Sequence, residues 1–306
     1  MSDSFHQVAE AYITPSAFDR QARSYTGAVY DPEKIITEAQ RLTDFHWRKA
    51  DSERPPEGNS LTLQGGTYLG HFFCHFGHFL IETIPQLHWA QKLPRPFIFH
   101  PWKDATYRQK PLDLPYVQHT LKVLDIDRND IIFVDGSALK VHNLYLPPRS
   151  HTVSAKPVHE SIAAYRDIAD ATLKVMPDEG FRRIYLSRRQ FATDRGNNEA
   201  DVEKLFRNYG FEVIHPEKLP FAQQINLVAR SEIIAGINGS AMHLGVFLPK
   251  GAWQINLGPR IWRIQKPILD ILGVRGSMLP NAAPSASADI PINVALIEEW
   301  LQKNLK

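Results

Sequence analysis

The stretch Ile233-Ile234-Ala235-Gly236-Ile237-Asn238-Gly239-Ser240-Ala241 combines a short apolar run, a turn of small residues and the start of a helix. A continuous apolar run bounded by turn residues is typical of a parallel strand that is covered on both faces. In an open α/β sheet such a turn lies at the carboxyl edge, where backbone N–H groups and the helix dipole favour phosphate. Close packing of strand against helix explains the glycines equally well, so both interpretations stay open.

Strands and helices alternate on both sides of this stretch. Apolar runs predict strands at 184–186, 211–214, 233–235 and 253–257, with helices at 198–208, 221–230 and 240–247 between them. Asn198 is the expected N-cap of the first helix, and Gly210 is its expected stop. Four strands joined by helical crossovers predict a doubly wound parallel sheet.

The first half of the chain is less regular. Short apolar runs predict strands at 97–99, 131–134 and 141–146, with a helix at 116–124. An aromatic-rich segment at 68–90 is long enough for a helix, although Gly70 and Gly77 weaken its first part and Pro85 should kink it. The expected fold class of the whole chain is therefore α/β.

The length of 306 residues, of which 43% are apolar, predicts two domains with a core each. We expect an N-terminal α/β domain over 1–150, a connecting helix and linker over 151–178, and a C-terminal domain over 179–306. The last predicted helix, 294–301, could pack on either domain. Residues 1–150 carry 16 basic and 17 acidic side chains, against 19 and 16 in the rest, so an anion site is expected in the second half.

Charge and cysteine content exclude several classes of protein. A formal net charge of +2 gives no polyanion-sized excess, so nucleic acid is not an expected partner. The single cysteine, Cys74, can form no internal disulfide and no Cys-based zinc site, which fits a reducing cytoplasm. The first 25 residues lack a basic start followed by an apolar core and any run of about 20 apolar residues, so neither secretion nor a membrane span is expected, while peripheral membrane contact and the oligomeric state stay open.

Five arginines fall within fourteen residues around the strand predicted at 184–186: Arg182, Arg183, Arg188, Arg189 and Arg195. Arg188 and Arg189 follow the strand, which places them at the same carboxyl edge as the Gly236–Gly239 turn. The planar guanidinium group binds phosphate through a fork of donors, so a diphosphate could be neutralised there without a metal ion. The alternative is a solvated basic face that is paired with surface acids.

His71, His75, His78 and Glu82 are spaced by four, three and four residues, which on a helix places them on one face. Three interpretations stay open: proton transfer or substrate contact, buried polar residues with satisfied hydrogen bonds, and a metal site. Cys74, which lies among aromatic residues, is interpreted as a small buried apolar residue rather than a nucleophile.

Three groups of motifs recur in the order of a known family. The first is His78-Phe79-Leu80-Ile81-Glu82 with Pro85-Gln86-Leu87, and the second is Ile184-Tyr185-Leu186-Ser187-Arg188 followed by Asn198-Glu199. The third consists of Phe211-Glu212-Val213-Ile214, Pro216-Glu217, Phe221, Gln224, Gly236 and Phe247-Leu248-Pro249. Together they resemble glycosyltransferase family 61 over roughly residues 65–258. The chain differs from the family at Asn238, where histidine is usual, at His243-Leu244 and at Gln86.

This resemblance implies two Rossmann-like domains facing a central cleft, the GT-B arrangement. It also implies a nucleotide-sugar donor on the second domain and transfer with inversion at the sugar carbon. The expected acceptor is a glycan or a lipid-linked precursor of surface polysaccharide. No cofactor is expected, because the nucleotide-sugar is a substrate and arginine can neutralise its diphosphate.

The resemblance and the chemistry together assign candidate roles. Glu82 is the candidate base for the acceptor hydroxyl, with His78 orienting it or taking its place. Arg188 and the N–H groups of Gly239 and Ser240 would stabilise the leaving diphosphate. The remaining candidates are Arg189, Glu217, Asn238 and His243 on the donor side, with Glu217 on ribose hydroxyls, and His71 and His75 on the acceptor side. Two alternatives remain: a metal-dependent hydrolase that uses the histidine cluster, and a non-catalytic binding protein of a glycan pathway.

Overall fold

The computed structural model describes residues 5–19, 24–40, 50, 52–55, 58, 60–102, 110–148, 159–191, 196–258, 262–284 and 289–305. The chain divides into two compact units, Met1–Ala164 and Tyr165–Lys306. Each unit contains its own sheet with helices between parallel strands, which confirms the α/β class. Within these ranges no helix combines the length and the apolar content that crossing a bilayer requires.

The first unit is built on a mixed sheet. Its strands are β1 (His6–Ile13), β2 (Phe18–Asp19), β3 (Ser24–Tyr25), β4 (Val29–Tyr30), β5 (Leu61–Leu63), β6 (Gly66–Phe72), β7 (Phe97–Pro101), β8 (Ile131–Phe133) and β9 (Leu139–Leu146). The main sheet has the order β4-β1-β9-β6-β7-β8, and β5 pairs with β9. The neighbours from β9 to β8 are parallel, whereas β1 is antiparallel to β4 and β9. The strands before residue 64, which no sequence pattern predicted, therefore make this unit less purely Rossmann-like than expected.

The helix predicted over 68–90 is wrong in its first part. Residues 66–72 form β6, which is buried along its whole length between β9 and β7. Gly70 has a φ of +89°, and the pairing with β7 shifts register between Tyr68 and His71. Hydrogen bonding to two neighbouring strands outweighs the local helical spacing of these residues.

A helical segment begins only after this strand. It consists of α1 (Phe76–His78), a π-helix (Phe79–Thr83) and α2 (Ile84–Ala90). Farther along, α3 (Pro115–Val123) precedes β8 and buries Val117 and Leu121, four residues apart on one face. Short 3-10 helices lie at Thr37–Gln40, Pro111–Asp113 and Arg128–Asp130.

The second unit is a five-stranded parallel sheet with helical crossovers. Its strands are β10 (Arg183–Leu186), β11 (Glu212–Ile214), β12 (Ile233–Ile237), β13 (Trp253–Leu257) and β14 (Arg275–Leu279). Its helices are α4 (His159–Val175), in which the division between the units falls, α5 (Glu199–Asn208), α6 (Phe221–Ala229), α7 (Trp262–Leu272) and α8 (Val294–Asn304), with 3-10 helices at Pro216–Lys218 and Ser240–Phe247. The sequence predicted neither β14 nor α7.

The strand order of this sheet is β11-β10-β12-β13-β14, which confirms the doubly wound topology. The first strand in sequence, β10, lies between the second and the third, so the topological switch point lies between β10 and β12. Helices cover both faces: α5 and α8 share a core with Tyr185, whereas α6 and the 3-10 helix at 240–247 cover Ile184 and Leu186. Ligands of such folds bind at the carboxyl ends of the strands beside the switch point.

Asn198 has a different role from the one predicted. It precedes α5, but its side chain makes no capping hydrogen bond. Instead, its Nδ2 donates to the carbonyl of Ile292 at 3.0 Å, and its Oδ1 accepts from the Ile292 N–H at 2.7 Å. This amide holds the segment that leads into α8. The predicted stop is confirmed, because Gly210 follows α5 with a φ of +75°.

Candidate functional site

The carboxyl end of β10 turns sharply into a loop that carries Arg188. The Ser187 N–H donates to the carbonyl of Ile214 at 2.8 Å, which extends the pairing with β11 by one residue. The Arg188 N–H then donates to Glu199 Oε1 at 2.9 Å, and the Ser187 hydroxyl donates to Glu203 Oε1 at 2.8 Å. Two buried carboxylates of α5 therefore fix the direction in which Arg188 leaves the strand.

The guanidinium group of Arg188 lies directly on the turn after β12. Its Nη1 donates to the carbonyl of Asn238 at 3.4 Å, and a Cβ atom on Gly239 would lie 1.9 Å from that Nη1. Gly239 has an extended backbone (φ 173°), which any residue can adopt, so close approach is what requires glycine here. At Gly236 a Cβ atom would meet Met242 Sδ at 2.6 Å and the Leu186 carbonyl at 2.9 Å. Close approach therefore explains both glycines: Gly236 makes room for Met242 and Leu186, and Gly239 makes room for Arg188. The phosphate interpretation of the turn stays a prediction.

Arg189 is engaged elsewhere. Its Nε lies 3.2 Å from Oε1 of Glu203, a carboxylate whose side chain is only 2% exposed. Glu203 Oε2 is also 3.4 Å from Arg207 Nη2, and Oε1 is 3.9 Å from His215 Nε2. This network holds Arg189 against α5, where it shares the Glu203 carboxylate with Arg207.

The other predicted arginines lie away from the turn. Arg182 pairs with Glu232 at 2.7 Å on the surface, just before the amino end of β10. Arg183 donates to the carbonyl of Tyr209 at 2.9 Å. Arg195 lies outside the described residues. The interpretation as a paired surface charge therefore holds for Arg182, and Arg188 is the arginine that meets the glycine turn.

The remaining donor-side candidates surround the same carboxyl edge. Asn238 is buried, and its N–H donates to the carbonyl of Leu257 at 2.9 Å. Ser240 and His243 lie on the 3-10 helix that begins after Gly239. Glu217 lies on the short helix after β11, and its Oε1 is 4.0 Å from His215 Nδ1. The structure thus brings all the predicted donor-side residues to the ends of β10, β11 and β12.

Glu199 is a part of this edge whose role the sequence did not reveal. Burial raises the pKa of its carboxyl group, although the hydrogen bonds from the Arg188 N–H and from the Tyr185 hydroxyl at 3.1 Å oppose that shift. Its position in an Asn-Glu pair at the start of an amphipathic helix was the available sequence signal. Its contacts make it a support for the Arg188 backbone.

His78 and Glu82 form a hydrogen-bonded pair in the first unit. His78 Nδ1 lies 2.5 Å from Glu82 Oε1, and the two side chains are 39% and 12% exposed. Burial of the ring opposes protonation, but the hydrogen bond and the negative charge of Glu82 outweigh it, so the pKa of His78 is raised above its ordinary value of 6.5. An Nδ1–H donated to the carboxylate leaves Nε2 as the ring nitrogen that can accept a proton.

The pair lies on an unusual piece of helix. Glu82 belongs to the π-helix, a conformation that is rare and often found at functional sites. The next residue, Thr83, is buried; its hydroxyl donates to the Phe73 carbonyl at 3.1 Å and accepts from the Phe73 N–H at 3.0 Å. The Tyr116 hydroxyl donates to the carbonyl of Cys74. The Thr83 contacts hold the end of β6 against the helix that carries the pair, and the Tyr116 contact holds the segment between them against α3; the sequence predicted neither.

His71 and His75 do not share a helix with the pair, so that prediction is wrong. His71 lies in β6, opposite His100 of β7, and His75 is an extended residue before α1. Their rings nevertheless stay close: the centroids of His75 and His78 are 5.6 Å apart. The described residues contain no group of three or more His, Cys, Asp or Glu side chains arranged to hold a metal ion. The metal-dependent alternative therefore gains no support from this cluster. Cys74 is buried, as predicted.

Aromatic rings surround the pair at the ends of β6 and β7. We call this set the aromatic wall; it consists of Phe18, Tyr25, His71, Phe73, Trp102 and His78. The His78 ring stacks on Phe73 (centroids 5.5 Å apart, 26° between planes) and on Trp102 (6.0 Å, 28°). His71 contacts Phe73 at 4.7 Å and Trp102 at 5.6 Å. Trp102 directly follows β7, beyond the end of the strand predicted at 97–99, so the sequence did not mark it as a site residue.

Comparison with known families gives one match. The family model described as Glycosyltransferase 61 matches residues 76–254, more than half of the chain. The matched segment begins at α1 and ends within β13, so it contains the His78–Glu82 pair, Arg188 and the Gly239 turn. It begins after His71 and His75. A comparison with curated proteins gave no match.

Proposed function

Since this chain belongs to glycosyltransferase family 61, we propose that it moves a sugar from a nucleoside-diphosphate donor to a glycan or lipid-linked acceptor, with inversion at the sugar carbon. Membership itself implies glycosyltransferase activity. The observation that carries the finer proposal is the guanidinium of Arg188 lying on Gly239 at the switch point of the second sheet. An arginine held against a glycine turn places a positive charge where ligands of such folds bind, and a diphosphate is the ligand that this charge would attract.

The donor side of the proposal follows from charge and backbone geometry. Arg188 supplies a bidentate donor that matches two phosphate oxygens. The N–H groups of Gly239 and Ser240 lie at the start of the 3-10 helix and add donors beside it. Glu217, at the end of β11, is assigned to the ribose hydroxyls, and Asn238 and His243 flank the turn. These groups stabilise negative charge as the diphosphate leaves, which requires no metal ion in this proposal.

The acceptor side of the proposal rests on the His78–Glu82 pair. The hydrogen bond at Nδ1 makes His78 Nε2 the preferred base, and Glu82 holds the tautomer and stabilises the imidazolium that forms. The acceptor hydroxyl gives its proton to Nε2 while its oxygen bonds to the sugar carbon, and the bond from that carbon to the diphosphate breaks. Glu82 as the base itself remains the alternative, and the two assignments differ in their dependence on pH.

We assign the acceptor to the first unit and the donor to the second, as in a GT-B enzyme. Synthesis of a surface polysaccharide in the cytoplasm is the setting that the family and the single cysteine favour. We assign Arg189 to the donor site because it follows Arg188 in the chain. We assign His71 and His75 to the acceptor site because their rings lie near the His78–Glu82 pair.

A nucleotide screen tests the proposal. The melting temperature of the protein is measured with UDP, GDP, CMP and ADP and with their sugars, because a ligand that binds only the folded state raises it. We expect one diphosphate series to stabilise the wild type, and Arg188→Ala to lose that response. Arg182→Ala is the matched control, since Arg182 pairs with Glu232 at the opposite edge. No response to any nucleotide, or an equal response in Arg188→Ala, would contradict the proposal.

A further inference from the structure

The aromatic wall differs from an ordinary apolar core in where it is exposed. Tyr25, His71 and Phe73 are buried, whereas the two ends of the wall reach solvent: Phe18 is 40% exposed and the His78 side chain is 39% exposed. Trp102 lies between these ends and is partly exposed. A set of aromatic rings in which some are buried and others reach solvent is a surface that can bind a ligand rather than a sealed core.

The contacts within the wall make Trp102 its centre. Its indole lies 5.1 Å from Phe73, 5.5 Å from Tyr25 and 5.6 Å from His71, measured between ring centroids. The buried rings behind it fix its orientation. Its Nε1 is buried and has no hydrogen-bond partner among the described residues, so it is a donor that water or a ligand hydroxyl can satisfy.

The chemistry of the wall selects one class of ligand. A pyranose ring has an apolar C–H face, which gains free energy by covering an aromatic ring, and hydroxyl groups around its rim that hydrogen-bond to polar groups. The wall offers both kinds of partner, since the partly exposed indole of Trp102 lies beside the 39% exposed imidazole of His78, with ring centroids 6.0 Å apart. The two rings stack on each other, so a sugar ring does not fit between them; one that covers the exposed part of the indole has its rim beside the imidazole. A linear phosphate or a peptide hydroxyl has no comparable apolar face.

We propose that the aromatic wall is an acceptor subsite that binds one pyranose ring against Trp102 and presents a hydroxyl of that ring to His78. This inference rests on the proposed function, because it takes the His78–Glu82 pair as the place where the acceptor reacts. It adds the chemical class of the acceptor group, a cyclic sugar rather than an amino-acid side chain. Trp102 is then the residue that determines acceptor specificity.

Fluorine NMR tests the subsite without a donor or a known acceptor. The protein, with its six tryptophans replaced by 5-fluorotryptophan, gives separate resonances, and the signal lost in Trp102→Phe belongs to Trp102. Methyl pyranosides of glucose, galactose, mannose, xylose and N-acetylglucosamine are added at tens of millimolar. We expect at least one pyranoside to shift the Trp102 resonance and to leave Trp253 and Trp300 of the second unit unchanged. Sorbitol is the control, since it carries similar hydroxyl groups without a rigid apolar face.

Absence of any selective shift, or an equal shift with sorbitol, would overturn the inference. The outcome is separable from that of the nucleotide screen. Nucleotide binding without a pyranoside shift removes the subsite and keeps the transferase, whereas a pyranoside shift without nucleotide binding indicates a sugar-binding protein and contradicts the proposed function. Once an acceptor is found, Trp102→Ala should raise its KM roughly tenfold through lost stacking area. Trp102→Phe should recover part of that loss, and the KM for the donor should not change.

Discussion

Replacing Gly239 by alanine should displace Arg188 without unfolding the protein. The added Cβ would lie 1.9 Å from Arg188 Nη1, and an ordinary contact begins at 3.4 Å, so the guanidinium must move by at least about 1.5 Å. The extended backbone of Gly239 accepts alanine, and the displaced atoms are the far end of a flexible side chain. The melting temperature of the free protein should therefore change little.

The affinity for a diphosphate should fall sharply in the same variant. A hydrogen bond to a charged group contributes about 1.5–3 kcal/mol, which corresponds to a loss of about 10- to 150-fold in affinity. Isothermal titration with the nucleotide that stabilises the wild type measures this change in Kd. Gly65→Ala is the matched control, because the nearest atom to its added Cβ is the His142 carbonyl oxygen at 3.9 Å.

A double-mutant cycle separates this mechanism from a general disturbance of the turn. If Gly239→Ala acts by displacing Arg188, the double variant with Arg188→Ala should bind no more weakly than the weaker single variant. Fully additive losses, or an unchanged Kd in Gly239→Ala, would refute the reasoning.

Three further outcomes follow from the hydrogen bonds around the two sites. Glu82→Gln should lower kcat by about 10²-fold or more and leave the nucleotide Kd unchanged. The acid limb of the variant's pH–rate profile should move to lower pH, because His78 loses the Glu82 charge that raises its pKa above 6.5 in the wild type. An unaltered pH–rate profile would contradict the assignment of His78 as the base. Glu199→Gln should raise the melting temperature at neutral pH, since burial raises the pKa of Glu199 and the folded protein favours its neutral form; this gain should shrink as the pH falls through the raised pKa of the folded state and be absent below the pKa of the unfolded chain. Asn198→Ala should cost about 1–3 kcal/mol in urea unfolding, because it removes the partner of the buried Ile292 N–H and one of the two donors to the Ile292 carbonyl, whereas exposed Asn208→Ala should change little.

The second unit could be predicted from sequence because its signals are local. Apolar runs such as 233–237 are too short and too uniformly apolar to form amphipathic helices, so they predict buried strands, and glycine turns mark their ends. Knowing that the strands are parallel then places Arg188, Glu217 and Gly239 at one edge. Which of several neighbouring arginines meets the turn depends on ion pairs with Glu203 and Glu232, distant in sequence, so it needed the structure.

The first unit was harder to predict because tertiary contacts decide it. The spacing of His71, His75, His78 and Glu82 fits a helix, yet β6 pairs with two strands and takes His71 with it. Of the three spacings, only the one from His78 to Glu82 corresponds to a contact between two residues of the helical segment. The aromatic wall joins Phe18 and Tyr25 to Trp102, and no local pattern reveals a contact between residues so far apart in sequence.

A crystal structure with the diphosphate that stabilises the protein most would test the central claim directly. We predict that phosphate oxygens lie within hydrogen-bond distance of the Arg188 guanidinium and of the N–H groups of Gly239 and Ser240. A diphosphate bound elsewhere, with Arg188 still on the Gly239 turn and touching no phosphate, would contradict it.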